Sequence, residues 1–410
     1  MSEQGWARKK IGQLLVRHFA GAWGEDPGYV GAANVVVLRS TNLDDSGGLT
    51  LSTGAPRRFT PKELTSKRLV DSDILLEASG GGPGKPVGRV ALFQGDGSSE
   101  YACSNFFRAL RVDGSLVNPK FLATKLQWLY RQSSIWRYQQ QTTGIINLRF
   151  GDYLDQEIEL PPLDQQRRIA EILDVADEQI QSIDHLVSKL RLICIGIVSD
   201  ALNEIEQTAE STALLSEVAD ISSGVTLGSE PAGDGSIEVP YLRVANVQDG
   251  YIDTSEVKAI RIFRSQMERF RLEAGDVLLT EGGDFDKLGR GAVWDARIPE
   301  CICQNHIFRV RCDRQVLLPE YLAAYASSPR GRAYFLSIAK QTTNLATINS
   351  TQLKSMPLPL PSLERQQKLI DAVEACSGRI QAELKVADRL RLLKQGLIDD
   401  LLTGRVRVPL

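Results

Sequence analysis

The sequence repeats itself after 200 residues. The segment "QTTG" at 141 recurs as "QTTN" at 341, and "LPPLDQQRRI" at 160 recurs as "LPSLERQQKL" at 360. A third pair, "LRLICIGIVSDAL" at 190 and "LRLLKQGLIDDLL" at 390, keeps the same offset. Ordered matches at one fixed period are the signature of a duplicated structural unit. We therefore expect the chain to fold as two copies of one module.

Each copy predicts a globular part followed by a long helix. The globular part is rich in glycine and in short β-branched runs such as "NVVVL", which are typical of a mostly β, mixed α/β domain. The second part follows a proline-marked strand, and its apolar residues step alternately by four and three, the heptad pattern of a coiled coil. The apolar seam comprises Ile169, Leu173, Ile180, Ile183, Val187, Leu190, Leu369, Val373, Ile380, Leu390 and Leu397.

The expected fold class is α+β, with two repeated mixed α/β domains whose long helices pair as an antiparallel coiled coil. A helix of about 40 residues spans about 60 Å, so such a pair can act as a spacer. The expected boundaries are 1–155 for the first domain, 156–208 for the first helix, 209–356 for the second domain, and 357–410 for the second helix and tail.

Charge is segregated along the chain, although the formal net charge is only −3. Residues 1–150 carry 19 basic and 12 acidic side chains, whereas residues 151–210 carry 4 and 14. The first segment can face a polyanion. The second would repel one and suits a protein partner.

Composition argues against several classes of protein. No run approaches the roughly 20 apolar residues that cross a bilayer, and the first residues lack an apolar signal core. The six cysteines fit a reduced compartment, and the three histidines show no metal-ligand spacing. We expect a cytoplasmic protein without a metal site or a histidine-based catalytic triad.

The glycine-rich stretch "SGGGPGKPVGRV" at 79–90 resembles a phosphate-binding loop only superficially. A Walker loop requires a leading glycine and a hydroxyl after Gly-Lys, and these positions hold Ser79 and Pro86. The second copy, "TEGGDFDKLGRGAV", keeps glycines, a lysine and Gly-Arg without any nucleotide pattern. The stretch therefore predicts either a DNA-facing hairpin tip that carries cations or a surface hairpin with solvated cations.

The two domain–helix junctions carry a family resemblance. Both follow the pattern Leu-Pro-x-Leu-acid-x-Gln, formed by Leu160, Pro161, Leu163, Asp164 and Gln166 and by Leu360, Pro361, Leu363, Glu364 and Gln366. With two similar domains, each followed by a long helix, and the tail "LKQGLIDDLLTGRVRV", the chain closely resembles the specificity subunit of Type I restriction-modification systems.

The resemblance implies that each globular domain is a target recognition domain that reads one half of a split DNA site. It implies that the helices set the spacing and dock two methylase subunits, and that the assembly methylates adenine or recruits a restriction subunit. This chain would be non-catalytic, with S-adenosylmethionine, ATP and Mg²⁺ bound by the partner subunits. No Asp/Asn-Pro-Pro-aromatic methylase motif occurs in the sequence, which agrees with that expectation.

The candidate DNA contacts are basic, amide and hydroxyl side chains. Arginine and asparagine are the side chains that read guanine and adenine edges, although residues that both copies keep also suit a phosphate-contacting or scaffold role. The candidates are Arg39, Asn42, Arg57, Arg58, Lys67, Arg68, Lys85, Arg89, Thr142 and Thr143 in the first copy, and Arg243, Asn246, Lys287, Arg290, Thr342 and Thr343 in the second.

Three other functions remain open from the sequence alone. The chain is alternatively a targeting subunit of a related methylase-based phage-defence system without a restriction nuclease. It is alternatively a duplicated coiled-coil scaffold that binds only proteins. A nucleotide-hydrolysing enzyme is disfavoured by Ser79 and Pro86.

Overall fold

The computed structural model describes residues 6–28, 31–82, 84–142, 144–208, 211–226, 228, 235–283, 288–341 and 346–408. The chain divides into two compact units, of which the first comprises residues 1–182 and 386–410 and the second comprises residues 183–385. Each unit thus combines one globular domain with segments of both long helices.

Short strands dominate the first globular domain. Its strands are β1 (Ala7–Lys10), β2 (Leu15–Ala20), β3 (Val35–Leu38), β4 (Ala55–Arg57), β5 (Ile74–Glu77), β6 (Ser79–Gly81), β7 (Val90–Leu92), β8 (Tyr101–Cys103), β9 (Phe107–Val112), β10 (Gln139–Thr142), β11 (Ile145–Leu148) and β12 (Glu157–Leu160). Its helices are α1 (Pro61–Lys67), α2 (Pro119–Tyr130) and α3 (Phe150–Leu154), and the long helix α4 (Leu163–Thr208) follows.

The second globular domain has the same kind of elements. Its strands are β13 (Thr212–Leu214), β14 (Ala219–Ser223), β15 (Ser236–Leu242), β16 (Lys258–Phe263), β17 (Val277–Thr280), β18 (Gly282–Gly283), β19 (Gly291–Val293), β20 (Ile302–Cys303), β21 (Ile307–Cys312), β22 (Lys340–Gln341), β23 (Ala346–Thr347) and β24 (Pro357–Pro359). Its helices are α5 (Leu215–Val218), α6 (Met267–Phe270), α7 (Pro319–Ser327), α8 (Pro329–Ile338) and α9 (Ser350–Lys354), and the long helix α10 (Leu363–Thr403) follows.

The sheet topology is the same in both domains. The first contains the sheets β2-β9-β5-β7, β4-β3-β8, β10-β11-β6 and β1-β12. The second contains β14-β21-β17-β19, β16-β15-β20, β18-β23-β22 and β13-β24. In both, the central strand of one three-stranded sheet pairs in parallel with an edge strand, β3 with β8 and β15 with β20. The duplication read from the sequence is therefore a duplication of topology.

The two long helices pair antiparallel, as predicted. In the first unit, Lys394 of α10 forms an ion pair with Asp177 of α4. In the second unit, the Cys194 thiol lies close enough to the Cys376 thiol for the two to interact, and Arg365 Nη2 lies 3.4 Å from Glu204 Oε1. Residues nearer the C-terminus of α4 contact residues nearer the N-terminus of α10, so the two helices run antiparallel.

The predicted seam residues face inward within each unit. The buried ones are Ile169, Leu173, Val187 and Leu369. The half-buried ones are Ile180, Ile183, Leu190, Val373, Ile380, Leu390 and Leu397. Because a heptad seam is buried against a partner helix, this pattern fits the helix pairing. Among the described residues, no helix is both long and apolar enough to cross a membrane.

Each junction is fixed by a buried glutamine from the repeated sequence pattern. Gln166 Oε1 accepts a hydrogen bond from Asn118 N at 2.9 Å, while its Nε2 donates to Pro161 O at 2.8 Å. Gln366 accepts from Leu318 N at 2.9 Å and donates to Pro361 O at 3.0 Å. In both domains the acceptor satisfies the backbone N–H just before a helix, α2 or α7, that otherwise has no intrahelical partner. The glutamine therefore ties the start of each long helix to its domain.

Candidate nucleic-acid interface

The turn that follows β3 in the first domain and the turn that follows β15 in the second are built in the same way. Asn42 Oδ1 accepts a hydrogen bond from Arg39 N at 2.8 Å, and Asn246 Oδ1 accepts one from Arg243 N at 2.8 Å. The Asn42 amide also donates to Thr53 Oγ1 at 2.7 Å. Both asparagines are buried. Their amides therefore hold the backbone of the turn, which favours the scaffold role that the sequence left open for them.

Arg39 and Arg243, which occupy the same place in these two turns, differ in their surroundings. Arg39 is exposed, and its Nη2 donates to Thr53 O at 2.8 Å. Arg243 is half-buried and forms an ion pair with Glu256, with 3.1 Å between Nη2 and Oε1. Among the residues that the structure describes, the guanidinium of Arg39 has no carboxylate partner, whereas the charge of Arg243 is neutralised by Glu256.

Four basic candidates of the first domain, Arg57, Arg58, Lys67 and Arg68, each contact other groups of the protein. Arg57 stacks on the Trp23 ring, with its guanidinium carbon 4.1 Å from the ring centroid, and also pairs with Asp26. The other three cations each contact a different neighbour: Arg58 Nη1 donates to Ala32 O at 3.0 Å, Lys67 Nζ to Ala20 O at 2.7 Å, and Arg68 Nη1 to Glu100 Oε1 at 3.3 Å.

The glycine-rich stretch forms a tight turn between two strands. Lys85 N donates to Gly82 O at 2.9 Å, Gly84 has a positive φ of 75°, and the Lys85 side chain is exposed. A phosphate-binding loop leads into a helix N-terminus. Residues 84–89 lead instead into strand β7. Because β6 and β7 belong to different sheets, the local structure is a turn that presents a lysine and not a β-hairpin.

Arg89 lies inside the domain rather than at the tip of this turn. Its guanidinium forms an ion pair with buried Glu77, at 2.6 Å between Nη2 and Oε1, and donates to Leu43 O at 2.8 Å. The hydrogen bonds that Arg89 donates to Glu77 raise the pKa of Arg89 above its ordinary value. Arg290, at the matching position of the second domain, donates to Gln248 Oε1 at 2.8 Å. These contacts assign both arginines a part in fixing the surrounding loops.

Of the four threonine candidates, Thr142 is the one that lies within the residues that the structure describes. Thr142 belongs to strand β10, and its side chain is not described. The remaining candidates outside the described residues are Thr143, Lys287, Thr342 and Thr343.

A surface pocket that sequence reasoning missed lies beside the Arg39 turn. It has a volume of about 410 Å³, and its lining includes Trp23, Arg39, Ser104, Asn105 and Phe106. The hydrogen bonds Ala22 N to Cys103 O, at 2.8 Å, and Ser104 N to Leu38 O, at 2.8 Å, bring three separate segments together there. These contacts connect residues more than 60 positions apart, so no local sequence signal marks them.

A glycine allows these segments to approach so closely. A Cβ atom on Gly21 would lie 2.1 Å from Ser104 O, and one on Gly224 would lie 2.0 Å from Cys303 O. Both distances are far below van der Waals contact, so a side chain at either position would push the strand away from the neighbouring turn. The same close approach is therefore built into both domains.

Comparisons with known proteins agree with this architecture. The family model described as "Type I restriction modification DNA specificity domain" matches residues 61–191 and 211–387. The chain is 25% identical over 339 residues to the Type I restriction enzyme EcoKI specificity subunit of Escherichia coli (strain K12), covering 77% of this chain and 70% of that protein. It is 24% identical over 376 residues to the StySPI specificity subunit of Salmonella potsdam, covering 85% and 78%.

Solved structures share the fold. A chain from a study of complex assembly and conformational transition of the type I R-M system matches with a TM-score of 0.59 and 17% identity over 97% of both chains. The S subunit of the Type I restriction-modification system from M. genitalium matches with a TM-score of 0.52 and 16% identity, over 98% of this chain and 97% of that one. With both domains matched by the family model, the chain belongs to the Type I restriction-modification DNA specificity family.

Proposed function

We propose that this chain is the non-catalytic specificity subunit of a Type I restriction-modification complex, and that each globular domain reads one half of a split DNA target. The observation that carries the proposal is a duplicated backbone frame with different exposed side chains. Leu38 O and Leu242 O accept equivalent hydrogen bonds from Ser104 N and Gln304 N, at 2.8 and 2.9 Å. Reading two different half-sites requires this combination of a common scaffold and divergent surfaces.

The long helices would dock two copies of a methylase subunit. Leu192 and Leu392, which are 200 residues apart, are 71% and 74% exposed, and their neighbours Ile193 and Leu393 are also exposed. Adjacent exposed apolar side chains mark interaction surfaces. Because the patch occurs once on each helix in the same local sequence context, its partner is expected to bind twice in the same way. The acidic charge of residues 151–210 also favours protein over DNA there.

The chemistry would then belong to the partners. Adenine methylation needs S-adenosylmethionine on the methylase subunits, and DNA translocation and cleavage need ATP and Mg²⁺ on a restriction subunit. DNA as the substrate, together with six free cysteine thiols, favours the cytoplasm as the site of action.

The docking proposal is tested by the stoichiometry of the co-expressed complex in native mass spectrometry. The wild-type chain is expected to bind two methylase subunits. The pair Leu192→Ser and Ile193→Ser should remove one copy, the pair Leu392→Ser and Leu393→Ser the other, and the quadruple variant both. Val175→Ser, which changes an exposed apolar residue of the same helix, is the matched control. A quadruple variant that still carries two methylase subunits would contradict the proposed docking surface.

A further inference from the structure

The pocket beside the Arg39 turn contains an unusual combination of side chains. Trp23 and Phe106 line it with rings that are 37% and 38% exposed. The Trp23 ring is held in place by the Arg57 guanidinium stacked on it, and Gly80 packs beside the Phe106 ring. Two positioned aromatic rings therefore border one cavity of about 410 Å³.

A buried hydroxyl in the same pocket has no hydrogen-bond partner within the described part of the chain. Ser104 is 1% exposed, and its Oγ is fully buried and unpaired. An unmet buried polar atom costs free energy of folding, so natural proteins seldom keep one without a reason. Ser104 lines the pocket, so its unpaired hydroxyl belongs to a residue that a ligand in the pocket would contact.

The second domain places different side chains on the same frame. Backbone hydrogen bonds to Cys103 O and Cys303 O align Ala22 with Val225, and therefore Trp23 with Thr226. Equivalent bonds at 3.1 and 3.3 Å, from Gly21 N to Phe107 O and from Gly224 N to Ile307 O, align Phe106 with His306. Ser104 corresponds in the same way to Gln304.

The side chains at the positions equivalent to Ser104 and Phe106 make polar contacts in the second domain. His306 Nδ1 lies 2.6 Å from Glu281 Oε2, and Gln304 Oε1 accepts a hydrogen bond from Val244 N at 3.4 Å. The first domain instead has an aromatic ring and a hydroxyl that is unpaired within the described part of the chain. A role common to both folds would be served by the same residues in each copy, as it is at Asn42 and Asn246. The divergence therefore points to recognition of different ligands by the two domains.

We propose that Trp23, Ser104 and Phe106 form the base-reading pocket of the first domain, and that it receives a nucleobase of the first half-site. This inference rests on the proposed function. Aromatic rings contact base faces and thymine methyl groups, and a hydroxyl can pair with a base edge. A phosphate-binding site would present several cations, whereas Arg39 is the one cation among the described residues that line the pocket. In the second domain, the positions equivalent to Trp23, Ser104 and Phe106 are occupied by Thr226, Gln304 and His306.

The test exchanges each exposed ring for its counterpart in the other domain. Trp23→Thr and Phe106→His are each co-expressed with the methylase, and methylation rates are measured on duplexes that carry single-base substitutions across the target. Each variant is expected to lose on the order of tenfold to hundredfold discrimination at a base pair of the first half-site. Discrimination in the second half-site and the length of the gap should not change. Trp136→Thr removes an exposed tryptophan outside the pocket and is the matched control.

The possible outcomes distinguish a failure of the proposed base-reading pocket from a failure of the proposed function. A wild-type split motif that persists unchanged in both variants overturns the pocket while the proposed function stands. An equal loss in both half-sites, with less methylase bound, means that the pocket contacts a protein partner instead and also overturns it. If the wild-type complex recognises no split motif, the proposed function fails, and the base-reading role fails with it.

Discussion

Single buried side chains fix the domain–helix junctions. Gln166 and Gln366 each bridge a loop carbonyl and the backbone N–H that precedes a helix of the globular domain. Glutamine is suited to this position because one amide both donates and accepts. The final residue of the Leu-Pro-x-Leu-acid-x-Gln pattern is therefore explained by hydrogen bonding.

We predict that Gln166→Ala lowers the stability of the first unit by about 1–3 kcal/mol, because it leaves the partly buried Asn118 N–H without its hydrogen-bond acceptor. Gln366→Ala should have the same effect on the second unit through Leu318 N–H. Hydrogen exchange measured by mass spectrometry would localise the loss to one unit. Gln165→Ala, at the neighbouring and less buried position, is the control and should leave both units protected. Uniform protection in Gln166→Ala would contradict the role of this amide.

A buried lysine gives the first unit a specific pH dependence. Lys125 Nζ donates to Leu402 O at 2.7 Å, and burial lowers the pKa of Lys125 to about 8. The unfolded chain holds this proton up to a pH of about 10.4. Between these values the unfolded state binds more protons than the folded one, so the contribution of Lys125 to stability rises with pH.

We predict that the stability of the wild type relative to Lys125→Met increases by about 2.5 kcal/mol between pH 8 and pH 10.5. Urea unfolding followed by tryptophan fluorescence suits the measurement, because Trp6, Trp23, Trp128 and Trp136 all lie in the first domain. The difference between the two proteins removes the titration of groups that they share. A difference that stays constant over this range would show that Lys125 does not titrate as proposed.

At the scale of elements, each unit takes its core from both long helices. Leu401 and Leu402, at the end of α10, belong to the core of the first domain together with Ile169 of α4. Leu202 and Ile205, near the end of α4, belong to the core of the second. The helix ends are therefore part of the globular domains as well as of the coiled coil.

Leu402→Ala should destabilise the first unit by about 2–5 kcal/mol, because Leu402 is fully buried in that core. Leu202→Ala, at the matching position of the other helix, should affect the second unit by a similar amount. Proteolysis of the native chain would reveal which unit opens, since each variant should expose cleavage sites in one unit only. Cleavage of both units in either variant would contradict this division of the core.

At the scale of the whole molecule, the duplicated fold could be predicted and the pocket could not. The helices were predictable because heptad spacing, proline boundaries and the fixed offset of 200 residues are signals within continuous segments. The interior position of Arg89 was not, because Arg89 precedes β7 and its partner Glu77 lies at the end of β5. The pocket depends on segments that meet only through non-local hydrogen bonds.

A signal for the pocket was nevertheless present in the repeat. Cys103 and Asn105 match Cys303 and Asn305, whereas the residues next to them, Ser104 and Phe106, are replaced in the second copy by Gln304 and His306. Differences within an otherwise repeated segment mark positions that serve one copy alone. Without the fold, however, nothing placed Trp23 beside them.

The most direct test of the account is the sequence context of methylated adenines in the host genome, mapped with this gene intact and with it deleted. The account predicts a split motif with a gap of fixed length that disappears on deletion and returns when the gene is restored. The intact complex must be shown to contain an active methylase, so that a silent partner is not mistaken for a missing target. With that activity present, a methylation pattern unaffected by deletion would contradict the claim that this chain selects the DNA sequence.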